Sequence, residues 1–414
     1  MRNRWFLNWW SKKNISKGIT MKLKSKKLLF TSLGIVSLIG VSTAIACSNA
    51  EDPNIKKVNL TLGTEWFTQK TGSTAVADFT KTLNSKIKEL KEKDTDNKYK
   101  DAKIVEVKIA SNEEKKASLN DLKAGKSAMT IINVRHAVEE PDIKNVEYLA
   151  RTETRSFKDD TKQMFYKDEG GPEYLKNTAK WVNDYLKLHP YQTWDDTREK
   201  WDGVKWEFLY GDLTTKDGNK NTTPYYRGMV AIVGNDETIE KIKKAWNDKN
   251  WQDFYNFGIV HGKTEKQGKY IIQEKLFKDH FGDHATIASI PSGKHKIDDG
   301  NTIGTLSGYR IFLDDMYSFA WQHNKDGGTK KNIFNPPQGE RIEILTLTNS
   351  LFYDIVAFNK DLLNEQERKL LLDAFIALSL EDKDSFGKGS GYNFYRYIND
   401  FNKEIKEPYE KAIK

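Results

Sequence analysis

The chain has 414 residues, 37% hydrophobic and 12% aromatic, enough apolar material for a sizeable core and too much for a disordered chain. One Cys excludes a disulfide framework, an iron–sulfur cluster and a multi-thiolate zinc site, and 27 Gly with 9 Pro exclude collagen and Pro-rich low complexity. The formal net charge of +8 invites a nucleic-acid reading, but nine cations and no acid fall in residues 1–46, and the remainder is close to neutral at about −1.

That basic stretch reads as a targeting segment. Met21–Lys27 is a positive n-region, Leu28–Ala46 an uncharged apolar and small-residue run, and Ala44-Ile45-Ala46-Cys47 a bacterial lipobox. The pattern predicts cleavage before Cys47 and a diacylglyceryl thioether on its sulfur. The protein is then anchored by lipid to the cell membrane on its extracellular face, because two acyl chains hold where one does not. An uncleaved membrane-spanning helix is the competing reading, since the nineteen residues of that run just span. Residues 1–20 read as a non-native upstream extension, 21–46 as the signal peptide and 47–57 as the lipidated tether. The abundance of Lys and Asn fits an AT-rich genome such as a mollicute's.

Downstream, short apolar runs alternate with amphipathic stretches, which predicts an α/β fold. The strand candidates are Val58–Gly63, Ile104–Ala110, Met129–Val134, Met229–Gly234, Phe257–His261, Tyr309–Leu313, Ile342–Leu347 and Asp354–Phe358. Pro172-Glu173 opens a helix that Pro190 closes, with Leu175, Val182 and Leu186 on one face. Asn235 caps a second, whose inner face carries Ile239, Ile242 and Trp246. Asn364 and Glu367 have capping-box spacing ahead of a stripe of Leu371, Phe375 and Leu378. Polar breaks near 224 and 338 bracket a central block. An insertion of that kind predicts two lobes, 58–225 with 339–414 and 226–338, joined by two crossings with a ligand cleft between them.

Long runs carry a resemblance. Tyr226-Arg227-Gly228-Met229, the stretch from Gly234 to Lys249, Asn256-Phe257-Gly258-Ile259-Val260-His261-Gly262-Lys263, Ser318-Phe319-Ala320-Trp321 and the terminal Tyr409–Lys414 resemble the mycoplasmal extracytoplasmic thiamine-binding lipoproteins. These in turn are similar to the phosphonate-type periplasmic binding proteins. The resemblance implies a two-lobed periplasmic-binding-protein-like α/β fold, a thiamine or thiamine diphosphate ligand between the lobes, and delivery to an ABC permease and ATPase in the membrane. No cofactor beyond the ligand and a monomer are expected; the lack of a nucleophile pair or metal cluster predicts no catalysis, and the near-neutral chain after residue 46 predicts no nucleic-acid binding. Whether a divalent ion accompanies the phosphates stays open.

Such a ligand joins a cationic ring, a flat aminopyrimidine and a diphosphate, so a binder needs aromatic faces, free N–H groups and a cation. The aromatic candidates are Trp66 after the first strand, Tyr226 at the lobe crossing, Trp321 beside Ser318, and Tyr353 with Asp354; core, hinge or strand-edge packing is the plainer reading of each. For phosphate, Gly262-Lys263-Thr264 follows a strand and precedes a helix, and competes with an ordinary polar turn. Arg227 competes with a salt bridge at the crossing. Asn133 and Arg135 end the third strand, and Arg135 departs from the family's small polar residues there, which bears on ligand identity.

Other signals are set aside. Gly282 interrupts His280 and His284, and Asp314-Asp315 and Asp298-Asp299 lack EF-hand spacing. No nucleophile motif or G-x-G-x-x-G occurs. The competing functions are a binder of phosphonate or another phosphorylated metabolite, a surface phosphohydrolase, and an adhesin without a small ligand.

Overall fold

The structure, a computed structural model, describes residues 52–65, 67–68, 72, 74–160, 162–188, 210–212, 221–318 and 336–414. The signal segment, Cys47, Trp66 and Trp321 lie outside these residues.

The strands in chain order are β1 (Ile55–Leu62), β2 (Ile104–Ser111), β3 (Met129–Ile132), β4 (Val146–Arg155), β5 (Thr222–Thr223), β6 (Tyr225–Gly234), β7 (Ile259–His261), β8 (His295–Ile297), β9 (Ile311–Asp315), β10 (Arg341–Phe352), β11 (Ile355–Asn359) and β12 (Phe394–Tyr397). They form two sheets. One has the order β12-β4-β11-β3-β1-β2 with β5 on the end of β4, and the other the order β10-β6-β9-β7-β8. Within the first, β1 runs parallel to β2 and β3; within the second, β7 runs parallel to β8 and β9. All four residues of β3 are buried, and β6 is buried along nearly its whole length. Such continuous apolar runs suit strands covered on both faces.

The helices supply that cover. Ala75–Glu92 buries Ala75, Phe79, Leu83 and Ile87, one stripe at helical spacing, in the same core as Leu371, Phe375 and Leu378 of Glu365–Leu380. The predicted capping box forms, Asn364 accepting from Glu367 N while Glu367 accepts from Asn364 N. Asn235 likewise accepts from Thr238 N at 2.9 Å and starts Asp236–Asn247. The segment after Pro172 is two helices, Gly171–Thr178 and Lys180–Leu188, broken at Ala179; Leu175, Val182 and Leu186 still share one apolar cluster with the β6–β9–β10 sheet. His280 stacks on Trp246 at 3.8 Å, and its ring nitrogens meet Tyr166 Oη and the Trp246 carbonyl, so it is a core residue.

The two-lobed periplasmic-binding-protein-like α/β fold is present, with the lobe limits displaced from those expected. The first crossing lies at Pro224, between β5 on the first sheet and β6 in the second. The second does not fall at 338/339, because β10 lies entirely in the five-stranded sheet and the chain returns only between Phe352 and Ile355. A further passage leads from Arg155 to the helix at Gly171, whose apolar face packs on the second sheet. Tyr353 N donates to the Pro224 carbonyl at 2.9 Å, tying two crossings together. One cluster holds residues of both lobes, Ile132, Val134 and Ile355 from one with Ile272 and Leu351 from the other, sealed by Tyr409 and Ala412 near the C-terminus.

Candidate functional site

In open α/β sheets, ligands sit outside the carboxyl ends of parallel strands. Here those ends carry Thr64, Glu113 and Asn133 in one lobe, and Gly262, Asp298 and Asp315 in the other. The ends meet at one point: Gln267 Nε2, from the turn after β7, donates to Asn133 Oδ1 at 3.0 Å across the lobes. Asn133 also accepts from Arg135 N, capping the helix Val134–Glu139.

Beside this contact lie the two crossings. Tyr226 and Tyr353 bring their rings to 5.0 Å, tilted by 43°. A sandwiched ring needs about 7 Å between its neighbours at ordinary carbon contact distances, so these two rings form a single aromatic wall. Asp315 and Asp354 flank it. Burial raises the Tyr226 phenol well above its ordinary range, and the two carboxylates raise it further. The same burial and the same pair of acids act on Tyr353. Tyr226, Asp315, Tyr353 and Tyr392 are closely packed, yet each keeps some accessible surface.

Each acid is held differently. Tyr392 donates its hydroxyl to Asp354 Oδ2, and Lys115 Nζ stands 3.4 Å from the same oxygen. Asp315 packs against the turn Gln267–Ile271 at Gly268, where a Cβ would lie 2.0 Å from its Oδ1 and 3.2 Å from the Tyr226 ring. Glycine is required there because backbone presses directly on the acid and the ring. Burial pushes the Asp315 carboxyl up to about 6, Asp314 and Asp299 adding to the rise and Lys269 and Lys266 opposing it. Lys269 is itself half-sunk; burial opposes its charge, but Asp314, Asp315 and Asp299 outweigh that and hold it protonated. Its Nζ lies 3.0 Å from Asp314 and 3.2 Å from Asp299.

The structure therefore brings together Asn133, Tyr226, Tyr353 and Asp354 among the residues singled out from sequence. Others stand elsewhere. Arg227, a phosphate candidate, is fully buried behind the wall and spends its guanidinium on Asp160 and three carbonyls, so the salt-bridge alternative holds. Ser318 is buried and donates to Asp314 Oδ2 at 2.7 Å. Arg135 Nε is engaged by Glu139 one turn along its own helix. Gly262 is buried, its N–H donating to the Lys269 carbonyl, while Lys263 and Thr264 are exposed on the loop leading to Gln267. Gln267, Lys115, Tyr392 and Asp315 were not among the candidates. Asp314-Asp315 was visible at the end of a predicted strand; the missing signal was that a parallel strand's carboxyl end, rather than metal-site spacing, gives such an acid its place.

Comparisons extend this picture. The sequence profile of the extracytoplasmic thiamine-binding lipoproteins matches residues 77–414. The high affinity transport system protein p37 of Mesomycoplasma hyorhinis is 34% identical over 404 residues, covering 90% of this chain and 96% of the relative. Its namesake from Mycoplasma pneumoniae is 31% identical over 316 residues, 71% of this chain and 78% of the relative. The solved structure of Mycoplasma hyorhinis Mh-p37, a protein with a proposed role in thiamine pyrophosphate transport, superposes with a TM-score of 0.75 at 31% identity, covering 87% of this chain and 99% of that one.

Proposed function

The chain belongs to the family of extracytoplasmic thiamine-binding lipoproteins, and from that premise we propose that it is the solute-binding component of an ABC importer that takes thiamine or thiamine diphosphate between its lobes. The observation that carries this reading is the Tyr226–Tyr353 wall in an acidic surround at the carboxyl ends of both sets of strands. A flat organic cation gains about 0.5–2 kcal/mol on such a face. The phosphates, where present, point to the exposed loop carrying Lys263, Thr264 and Lys266. Cargo is then handed to a permease and ATPase in the membrane.

A thermal-shift screen with thiamine, its mono- and diphosphate, and methylphosphonate tests the reading. A true ligand at 100 times its Kd adds about 2.7 kcal/mol of stability. A shift with methylphosphonate alone makes the protein a phosphonate binder. No shift with any of the four favours an adhesin, and consumption of the ligand a hydrolase.

The anchor is part of the same proposal. Cys47 carries the diacylglyceryl group, so the wild-type protein expressed in a bacterial host should partition into the detergent phase and Cys47→Ser into the aqueous phase. Equal partitioning of the two would remove the lipid from the account.

A further inference from the structure

We propose that Asp315 is the specificity-determining residue that reads the positive charge of the ligand's ring. The proposal rests on the thiamine-type ligand advanced above and names the group that selects it. Three observations carry it. Asp315 stands at the carboxyl end of β9 beside the Tyr226 ring, pinned by the Gly268 turn, so its carboxylate is fixed where a ring lying on the aromatic wall must pass. Its pairing is incomplete: the charges of Lys269 and Lys266 act on it at longer range, but Lys269 makes its close ion pairs with Asp314 and Asp299, and among the described residues no cation comes within ion-pair distance of Asp315. Asp354, by contrast, already shares Lys115 and the Tyr392 hydroxyl. Next to it, Gln267 is buried with its Oε1 unpartnered, so the same turn offers a second free acceptor.

A desolvated carboxylate without a direct ion-pair contact is costly. An organic cation on the adjoining ring face supplies that contact and gains both cation–π and charge–charge attraction. A neutral ring of the same shape gains only the stacking. The raised carboxyl of Asp315 agrees with an ion waiting for its partner.

The test compares thiamine with thiochrome, its ring-closed, uncharged oxidation product, by titration calorimetry on the wild type and Asp315→Asn. The expected result is a loss of about 10- to 100-fold in thiamine affinity with thiochrome affinity within about threefold of wild type, the usual range for a charge-assisted contact. Equal losses for both ligands, or none for thiamine, overturn the inference while leaving the ligand reading intact. Wild type that binds neither compound overturns the ligand reading and this inference with it. Should Asp315→Asn fail to fold, Asp315→Ser removes the same charge with a smaller side chain, and the same two ligands decide.

Discussion

Arg227→Ala is expected to cost about 3–5 kcal/mol of folding stability, the range for breaking a buried ion pair by removing one partner. Arg227 is fully buried and Asp160 nearly so. The guanidinium forks onto the carboxylate, Nε to Oδ2 at 2.8 Å and Nη2 to Oδ1 at 3.0 Å. The remaining donors reach the carbonyls of Met164 (2.8 Å), Thr348 (3.1 Å) and Lys162 (3.2 Å). One side chain thus joins β6, the irregular middle of β10 and the passage that enters the second lobe. Truncation leaves a buried carboxylate without its charge partner and three carbonyls without donors, and each orphan adds its own desolvation cost. Arg227→Lys should recover only part of the loss, since an ammonium cannot reproduce the planar fork. Urea unfolding of the three proteins measures this. Among folded molecules, the ratio of thiamine to thiamine diphosphate affinity should stay within about twofold of wild type, whereas a phosphate contact would lower the diphosphate selectively by roughly tenfold or more. A normal urea midpoint for Arg227→Ala would contradict the structural role assigned to the pair.

The two readings of Arg227 are separated by a simple physical rule. Neighbouring residues on a strand face opposite sides of the sheet. Tyr226 and Arg227 are adjacent on β6, so if the first faces the cleft the second must enter the core, and a sequence run that flags both conflates the two faces. The long apolar strands were legible for the same kind of reason: β3, β6 and β11 are covered on both faces and read as unbroken hydrophobic runs. Strands β4 and β12 were not. Along β4, Glu147, Arg151, Glu153 and Arg155 interrupt the pattern, and their charges are satisfied only in three dimensions. Glu153 is buried between Arg151 and Arg396, with Thr222 Oγ1 donating to its other oxygen, so the strand makes sense only once β12 and β5 lie beside it. The caps at Asn235 and Asn364 were legible because they are local, three residues from their partners. The site was half legible. Tyr226, Tyr353 and Asp354 announce themselves as aromatic and acidic residues at the lobe crossings. Asp315 gains its meaning from Gly268, forty-seven residues earlier in the chain, and from the pairing of β9 with β6.

The second large effect is on pH. Asp315 is an acid whose folded-state carboxyl is pushed up to about 6, chiefly by burial. Around it are Lys269, Lys266, Asp314 and Asp299, with the Tyr226 ring beside it and Tyr353 and Asp354 along the same wall. Above that value the group is ionised and attracts a cation; below it the proton removes the charge. Thiamine affinity should therefore be greatest above pH 7 and decline below 6, levelling off at no more than the roughly 10- to 100-fold that removing the charge costs. The sign for stability is the opposite. A raised acid holds its proton more tightly in the folded than in the unfolded state, so its contribution to folding improves as pH falls through 6 toward the ordinary carboxylate range. Affinity and this part of the stability must then move in opposite directions on acidification, which separates loss of recognition from loss of the fold. The ligand's aminopyrimidine also gains a proton in acid, so the informative quantity is the difference between wild type and Asp315→Asn. Calorimetric titrations from pH 8 to pH 5 should give a steep profile for the first and a shallow one for the second. Parallel profiles would mean that the pH dependence belongs to the ligand and that Asp315 does not sense its charge.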